Sequence, residues 1–147
     1  MKNNILTALL LCVCFTAGTG CAQDKGKEKK GGAFPSDSSQ ALANLITESK
    51  VPVLIDFWAA WCMPCRILDP IMEELEKEYK GKVLFLKVNV DTQLAITHYF
   101  RVNSIPTVYI VEDKTARVAL PGVRDKNTYK DAIEDALKLA AERKSKD

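Results

Sequence analysis

The feature that most constrains this chain is a buried-strand pattern that runs directly into a pair of closely spaced cysteines. Val53-Leu54-Ile55-Asp56-Phe57-Trp58 is an almost unbroken apolar run rich in β-forming residues. Such a run is typical of a strand covered on both faces of a sheet. Trp61-Cys62-Met63-Pro64-Cys65 follows after Ala59-Ala60, and helical periodicity then extends from about Met63 to Tyr79. The two cysteines are therefore expected where a central strand passes into a helix.

The remainder of the chain after residue 35 alternates helix and strand patterns. A first helix is expected to begin at Asp37, where Gln40 completes a capping box, and to stop at Lys50-Val51-Pro52. Pro70 is expected to kink the second helix, and Gly81 to end it. The later pattern predicts a second central strand at 83–90, a short helix at 91–100, hairpin strands at 107–111 and 116–120, and a final helix at about 125–143. This order predicts an α/β fold, a mixed four- to five-stranded sheet with helices on both faces.

Three of the predicted helices carry apolar residues at helical spacing, and these residues are expected to face the core. They are Ala41, Leu42, Leu45 and Ile46 in the first helix, Ile67, Leu68, Ile71, Met72 and Leu75 in the second, and Tyr129, Ile133, Leu137 and Ala140 in the last.

The cysteine pair has the placement that thiol–disulfide exchange needs. The thiolate is the attacking species, and the N–H groups at a helix N-terminus favour its negative charge. Pro64 fits the first helical turn, where its missing N–H is not needed. We expect Cys62 to be exposed and to act as the nucleophile, with Cys65 one turn inside as the resolving cysteine.

Two other interpretations of the pair compete with redox chemistry. A zinc site needs four ligands, and after residue 35 the sequence offers only Cys62, Cys65 and the distant His98, so no metal is predicted. An inert structural disulfide is the second alternative. A bridge that closes so short a loop constrains the unfolded chain little, so stability is a weak reason for it.

The first 21 residues have the pattern of a signal peptide. A short start carrying Lys2 precedes an apolar run of 11 residues from Ile5 to Phe15, and small residues follow. Thr19-Gly20-Cys21 is similar to the end of a bacterial lipobox, which predicts a lipid anchor at Cys21, although Gly18 stands where such motifs usually carry Leu. Cleavage after Ala22 is the alternative. Residues 22–35 are polar and glycine-rich and predict a flexible tether, leaving 36–147 as the folded domain.

Charge argues against nucleic acid as a partner. Residues 36–147 contain 16 Lys and Arg and 17 Asp and Glu, whereas the whole chain carries a formal net charge of +2. The excess positive charge therefore lies in the N-terminal segment, and the folded part has no basic composition to attract phosphates.

Four blocks of sequence resemble the thioredoxin family. They are residues 53–65, Lys87-Val88-Asn89-Val90-Asp91, Ser104-Ile105-Pro106-Thr107 and Pro121-Gly122. The resemblance covers about two-thirds of the chain, and it implies a thioredoxin fold and a protein-disulfide oxidoreductase without a cofactor.

The resemblance also implies roles for individual residues. Asp56 corresponds to a buried acid that exchanges a proton with the second cysteine, and Lys87 to its partner; a purely structural Asp56–Lys87 pair is the alternative. Pro106 corresponds to a cis-proline facing the cysteines. An apolar substrate rim is implied at Trp61, Met63, Pro64, Val90, Ile105, Pro106, Gly122 and Val123. Trp58 is expected to support the core, His98 to be solvated, and Asp91 is as readily a helix cap as a site residue.

Three departures from the family pattern leave points open. Met63 replaces a glycine at a position that influences the reduction potential, the family's first strand has only Ala33-Phe34 as a candidate, and the hairpin turn at Asp113-Lys114 lacks glycine.

A reductase of protein disulfides in the cell envelope, periplasmic or lipid-tethered, is the leading functional prediction, because Ile105 precedes Pro106 where the family's oxidants and isomerases usually carry Val or Thr. Its expected partners are disulfide-containing proteins and a membrane electron donor or thioredoxin-reducing system, and a monomer is expected. A disulfide oxidant or isomerase, or a redox-inactive binding module, are the alternatives.

Overall fold

Helices and strands follow the predicted order through residues 38–146, the part of the chain that the computed structural model describes. The elements are α1 Ser38–Glu48, β1 Val53–Trp58, α2 Met63–Glu78, β2 Leu84–Asn89, α3 Leu94–Tyr99, β3 Thr107–Glu112, β4 Thr115–Pro121 and α4 Lys126–Lys144. The predicted signal peptide at 1–21, the tether at 22–35, the Ala33-Phe34 strand and the Asp37 cap lie outside the described residues.

The four strands of the described region form one mixed sheet in the order β2-β1-β3-β4. β1 runs parallel to β2 and antiparallel to β3, and β4 returns antiparallel beside β3. The α/β class and the mixed sheet are confirmed. The central position expected for the strand at 83–90 is wrong for the described part of the chain, because β2 there has a neighbour on one side only and its residues are less buried than those of β1.

Side chains of β1 alternate between two separate apolar cores, which explains the unbroken apolar run. Leu54 packs with α2 and α4 residues such as Leu68, Met72 and Ile133. Ile55 and neighbouring strand residues pack on the opposite face with Ile46 of α1 and Ile96 of α3. Because side chains two apart on a strand share a face, Asp56 lies on the α2 and α4 side with Leu54.

The helices bury narrower stripes than the sequence pattern indicated. In α2 the buried residues are Cys65, Leu68, Met72 and Leu75, spaced three or four apart. Ile67 lies one residue off this stripe and is 64% exposed, so the expectation that it faces the core is wrong. Leu45 of α1 is likewise 48% exposed, and in α4 Ala136, which we did not predict, is buried.

The β3–β4 hairpin turns without glycine and is tied to α4 by charge. Asp113 and Lys114 both adopt left-handed backbone conformations, with φ of 49° and 60°, as the tight turns that match strand twist require. Beside the turn, the Glu112 carboxylate is only 3% exposed and lies 2.9 Å from Arg117 Nη2 and 2.6 Å from Arg143 Nη1. This ion pair network joins the hairpin to the last turn of α4.

Candidate functional site

The two cysteines form a disulfide at the start of α2, as the strand-to-helix pattern predicted. Cys62 is the N-cap residue, and Pro64 stands in the first turn, where no intrahelical N–H is required. The Cys65 N–H donates to Cys62 Sγ at 3.2 Å. A Cys62 thiolate in the same place would accept this hydrogen bond. It would also lie at the positively polarised N-terminus of α2, and both interactions favour the charged form of the thiol.

Both sulfur-bearing residues are enclosed, which corrects the expectation that Cys62 is exposed. Cys62 and Cys65 are each 3% exposed. They cluster with Ala59 and are packed against Trp58, Val90 and Ile105. Because neither cysteine protrudes, contacts with the surrounding surface must hold a partner protein against the disulfide.

That surrounding surface is apolar and accessible. Trp61 and Met63, which flank Cys62 in sequence, are 67% and 64% exposed, and Pro64 is exposed beside them. A cavity of about 410 Å³ lies next to the disulfide loop and is lined by Trp61, Val90 and Ile105. Thr97, Val102, Asn103 and Ser104 complete its walls. The structure thus brings together three of the predicted rim residues, and adds four that were not predicted to belong to the rim.

A carboxylate fixes the orientation of Trp61. The Trp61 indole Nε1–H donates to Asp91 Oδ2 at 3.0 Å. The Asp91 backbone N–H in turn donates to the Asn89 side-chain oxygen at 2.9 Å. Asp91 does not cap α3, which begins at Leu94 rather than at 91 and has Gln93 as its N-cap residue. The helix-cap interpretation of Asp91 is therefore wrong for α3, and its carboxylate instead contacts the predicted rim residue Trp61. The contact spans 30 residues of sequence, so no local signal reveals it.

Pro106 and Gly122 are joined at the edge of the site. The Ile105–Pro106 bond is cis, as the resemblance implied, and the Gly122 N–H donates to the Pro106 carbonyl at 2.8 Å. Gly122 has a φ of 74°, a conformation that favours glycine. Tyr129, fully buried on α4, donates its hydroxyl to the Gly122 carbonyl at 3.2 Å. Val123, the residue after Gly122, is 36% exposed.

Asp56 is a buried carboxyl with an unusual titration. It is 2% exposed, and its Oδ1 has no hydrogen-bond partner. Burial raises its pKa to about 6, although the charge of Lys87 opposes this rise and the charge of Asp69 adds to it. Asp56 lies on the face of β1 covered by α2, the helix whose first turn holds Cys65. A group with such a pKa exchanges its proton readily near neutral pH.

Lys87 is paired differently from the expectation. It lies beside Asp56 in the β1–β2 register, yet its ammonium forms its ion pair with Asp69 of α2. The ammonium also lies 5.2 Å from the centre of the Trp58 ring. The half-buried Trp58 ring thereby packs against the end of the Lys87 side chain. Lys87 acts on Asp56 through its charge rather than through a direct ion pair.

The described residues offer little for the alternative sites. No group of three or more His, Cys, Asp or Glu side chains within 38–146 is arranged to hold a metal ion. His98 is exposed on α3, as expected. Over the same residues, none of the helices combines the length and the apolar character that a membrane span requires.

Comparisons with known proteins agree with this geometry. The family model for thioredoxin matches residues 35–135. A thioredoxin of Rickettsia felis is 40% identical over 92 residues, covering 63% of this chain and 88% of that protein; one of Rickettsia prowazekii is 36% identical over 102 residues, covering 69% and 95%. The chloroplastic M-type thioredoxin of Spinacia oleracea is 40% identical over 92 residues, and the match spans about half of its length, 51%.

Among solved structures, one from work on how the thiol of a yeast mitochondrial 1-Cys peroxiredoxin is resolved through glutathione and thioredoxin systems has the same fold. It matches with a TM-score of 0.60 and 27% identity, covering 65% of this chain and 88% of that one. The chain therefore belongs to the thioredoxin family, and Cys62–Cys65 is the redox-active pair of a thiol–disulfide oxidoreductase.

Proposed function

We propose that the protein reduces disulfides of other proteins in the cell envelope. Disulfide reduction is supported by the Cys62–Cys65 pair at the start of α2, which is surrounded by an accessible apolar rim. The N-terminal signal pattern supports export. Similarity to proteins named thioredoxin, and Ile105 before Pro106, favour reduction over oxidation.

The proposed cycle begins with the reduced pair. The Cys62 thiolate attacks one sulfur of a substrate disulfide, and the other substrate sulfur leaves as a thiolate and takes up a proton. Cys65 then gives its proton to Asp56 and attacks Cys62 Sγ. The bond between Cys62 and the substrate breaks, and the second substrate sulfur leaves as a thiolate and takes up a proton. The protein disulfide re-forms, and Asp56 gives up the proton it received from Cys65. Two electrons pass from the protein to the substrate, so a reducing partner must restore the dithiol in each turnover.

Substrate recognition is assigned to the rim described above. Trp61, Met63 and Pro64 offer apolar contact next to Cys62 in sequence, and Val90 lines the same cavity as Trp61. Gly122, bonded to Pro106, and the neighbouring Val123 are assigned to the remainder of the rim. The backbone of Ile105, next to Pro106, is available to an extended substrate segment by strand addition. Such contacts hold the substrate disulfide against a cysteine that is itself nearly buried.

The reduction potential of the Cys62–Cys65 couple, measured by equilibration with glutathione, tests the direction of electron flow. A reductase requires a value nearer to the roughly −270 mV of thioredoxin than to the roughly −120 mV of a dedicated bacterial oxidant. A reduction potential near that of the oxidant would contradict a reductase and favour a role in disulfide oxidation or isomerisation. Full biological activity in a Cys62→Ser variant would instead identify a binding module whose cysteines are incidental.

The location is tested by mass spectrometry of the mature N-terminus. A lipid-modified Cys21 as first residue supports a tethered protein, because acyl chains hold a protein at a membrane surface. A Cys21→Ser variant is the matched control and should be released from the membrane fraction. An unmodified N-terminus at Gln23 would show cleavage after Ala22 and remove the lipid anchor from the proposal.

The proton-transfer role is tested by Asp56→Asn. The variant should reduce insulin disulfides at pH 7 roughly 10²-fold more slowly, because a positioned acid–base group typically contributes at least this much. Unchanged rates would restrict Asp56 to a structural role.

A further inference from the structure

Asp69 holds Lys87, whose charge acts on the buried Asp56, in an ion pair at the protein surface. It lies on α2, one helical turn after Cys65, and its carboxylate holds the Lys87 ammonium in an ion pair. The side chains of Lys87 and Asp69 are 49% and 35% exposed, respectively, so the pair lies at the surface. An ion pair this exposed contributes little stability, and its main effect is therefore on where the ammonium lies.

The same three charged groups line one cleft. A cavity of about 320 Å³ is bordered by Asp56 and Leu54 of β1, Asp69 of α2 and Lys87 of β2. Met72, Glu73, Glu76, Phe85 and Leu86 form the remaining walls. Asp56 therefore lies in the interior of an opening whose outer part carries the Lys87–Asp69 pair.

The charged and titratable groups that share the cleft with Asp56 or interact with it come from three elements. Lys87 is the cation on β2, Asp69, Glu73 and Glu76 are the acids on α2, and Tyr129 is the titratable group on α4. On the remaining neighbouring strand, β3, the residue in register is the apolar Val108. Lys87 is thus the one cation that this set provides, and Asp69 is the acid in direct contact with it.

We propose that Asp69 is a positioning residue that holds Lys87 at the mouth of the cleft, over the Trp58 ring, and thereby keeps Asp56 able to carry a proton at neutral pH. The lysine side chain is a long, flexible stem ending in a point charge. Without Asp69 the ammonium loses its ion-pair partner and turns toward the buried carboxyl. A cation next to an aspartate favours the charged form and lowers the pKa by roughly one to three units. This proposal rests on the proton-transfer role given to Asp56 in the proposed function.

A titration of the Asp56 carboxyl by NMR in the oxidised full chain tests the proposal without relying on activity. Asp69→Ala should lower the Asp56 midpoint by about one unit or more. Asp69→Glu, which retains a carboxylate on the same turn, should restore the wild-type midpoint. Glu73→Ala is the matched control, because it removes an acid from the same helix and the same cleft and should shift the midpoint much less.

A double-mutant cycle separates positioning from simple charge removal. Lys87→Met should raise the Asp56 midpoint, and by more in the Asp69→Ala background than in the wild type, because there the ammonium lies closer to Asp56. Additive shifts would overturn the positioning role, as would an unchanged midpoint in Asp69→Ala or an equal shift in Glu73→Ala.

The pH dependence of insulin reduction distinguishes failure of this proposal from failure of the proposed function. With proton transfer through Asp56, the rising limb of the rate moves to lower pH in Asp69→Ala together with the titration midpoint. A midpoint that moves while the rate profile does not would refute proton transfer by Asp56 and leave the positioning of Lys87 supported.

Discussion

Replacing Asp56 by Asn should stabilise the folded protein at alkaline pH and do so much less at acidic pH. Burial raises the pKa of Asp56 from 3.8 to about 6. The folded state therefore binds the proton more tightly than the unfolded state does. The favourable contribution of the protonated carboxyl is fully present below pH 3.8 and is lost as the pH rises through about 6.

The magnitude follows from the size of this shift. A difference of about two pKa units corresponds to about 3 kcal/mol between the acidic and alkaline limits, since each unit is worth roughly 1.4 kcal/mol. Asn is similar in shape and does not ionise. Any constant cost of burying its amide cancels when the same variant is compared at two pH values.

Urea unfolding of the oxidised protein at pH 3.5 and pH 8 measures the effect. The gain in unfolding free energy of Asp56→Asn over the wild type should be larger by about 3 kcal/mol at pH 8 than at pH 3.5. Asp135→Asn, which removes an exposed carboxylate from α4, is the control and should show a difference well below 1 kcal/mol. A gain that is independent of pH, or larger at pH 3.5, would refute the assignment of a raised pKa to Asp56.

Three further substitutions test the scaffold around the site by urea unfolding. Glu112→Ala removes the buried carboxylate between two arginines and should cost about 2 kcal/mol, less than a fully buried pair because both arginines are partly exposed; a change below roughly 0.5 kcal/mol would show that the network is not stabilising. Tyr129→Phe removes the hydroxyl that donates to the Gly122 carbonyl, and it should lower the free energy of unfolding by about 1–2 kcal/mol and weaken substrate binding at the rim. Wild-type stability together with wild-type substrate affinity would count against that hydrogen bond. Lys114→Gly relieves a left-handed residue and should add about 0.5–1 kcal/mol, and a loss of stability would contradict the turn geometry.

The fold and the redox pair could be predicted from sequence because their signals are local. The apolar run in β1, the cysteine spacing and the helical periodicity of α2 all lie within 27 consecutive positions, 53–79. Periodicity identified the helices but not the width of their buried faces. Ile67 is apolar and lies at helical spacing from other apolar residues of α2, as a core residue would. It is exposed because no neighbouring element of the described region packs over it.

Contacts between distant parts of the chain account for what sequence reasoning missed. The Trp61–Asp91 hydrogen bond joins residues 30 positions apart, and the Lys87–Asp69 ion pair joins residues 18 positions apart. Both depend on how α2 lies against β2 and the segment that follows it. The family resemblance implied a Lys87–Asp56 partnership, and it gave no reason to expect that an acid on α2 would take the lysine instead.

The most direct test of the account is to trap the mixed disulfide. A Cys65→Ser variant cannot resolve the intermediate, so incubation with a disulfide-bonded protein should yield a stable covalent adduct. Peptide mass spectrometry should place the new bond at Cys62, and Cys62→Ser should form no adduct at a comparable rate. An adduct at Cys65 of Cys62→Ser, formed as fast as that at Cys62 of Cys65→Ser, would contradict the assignment of Cys62 as the attacking cysteine.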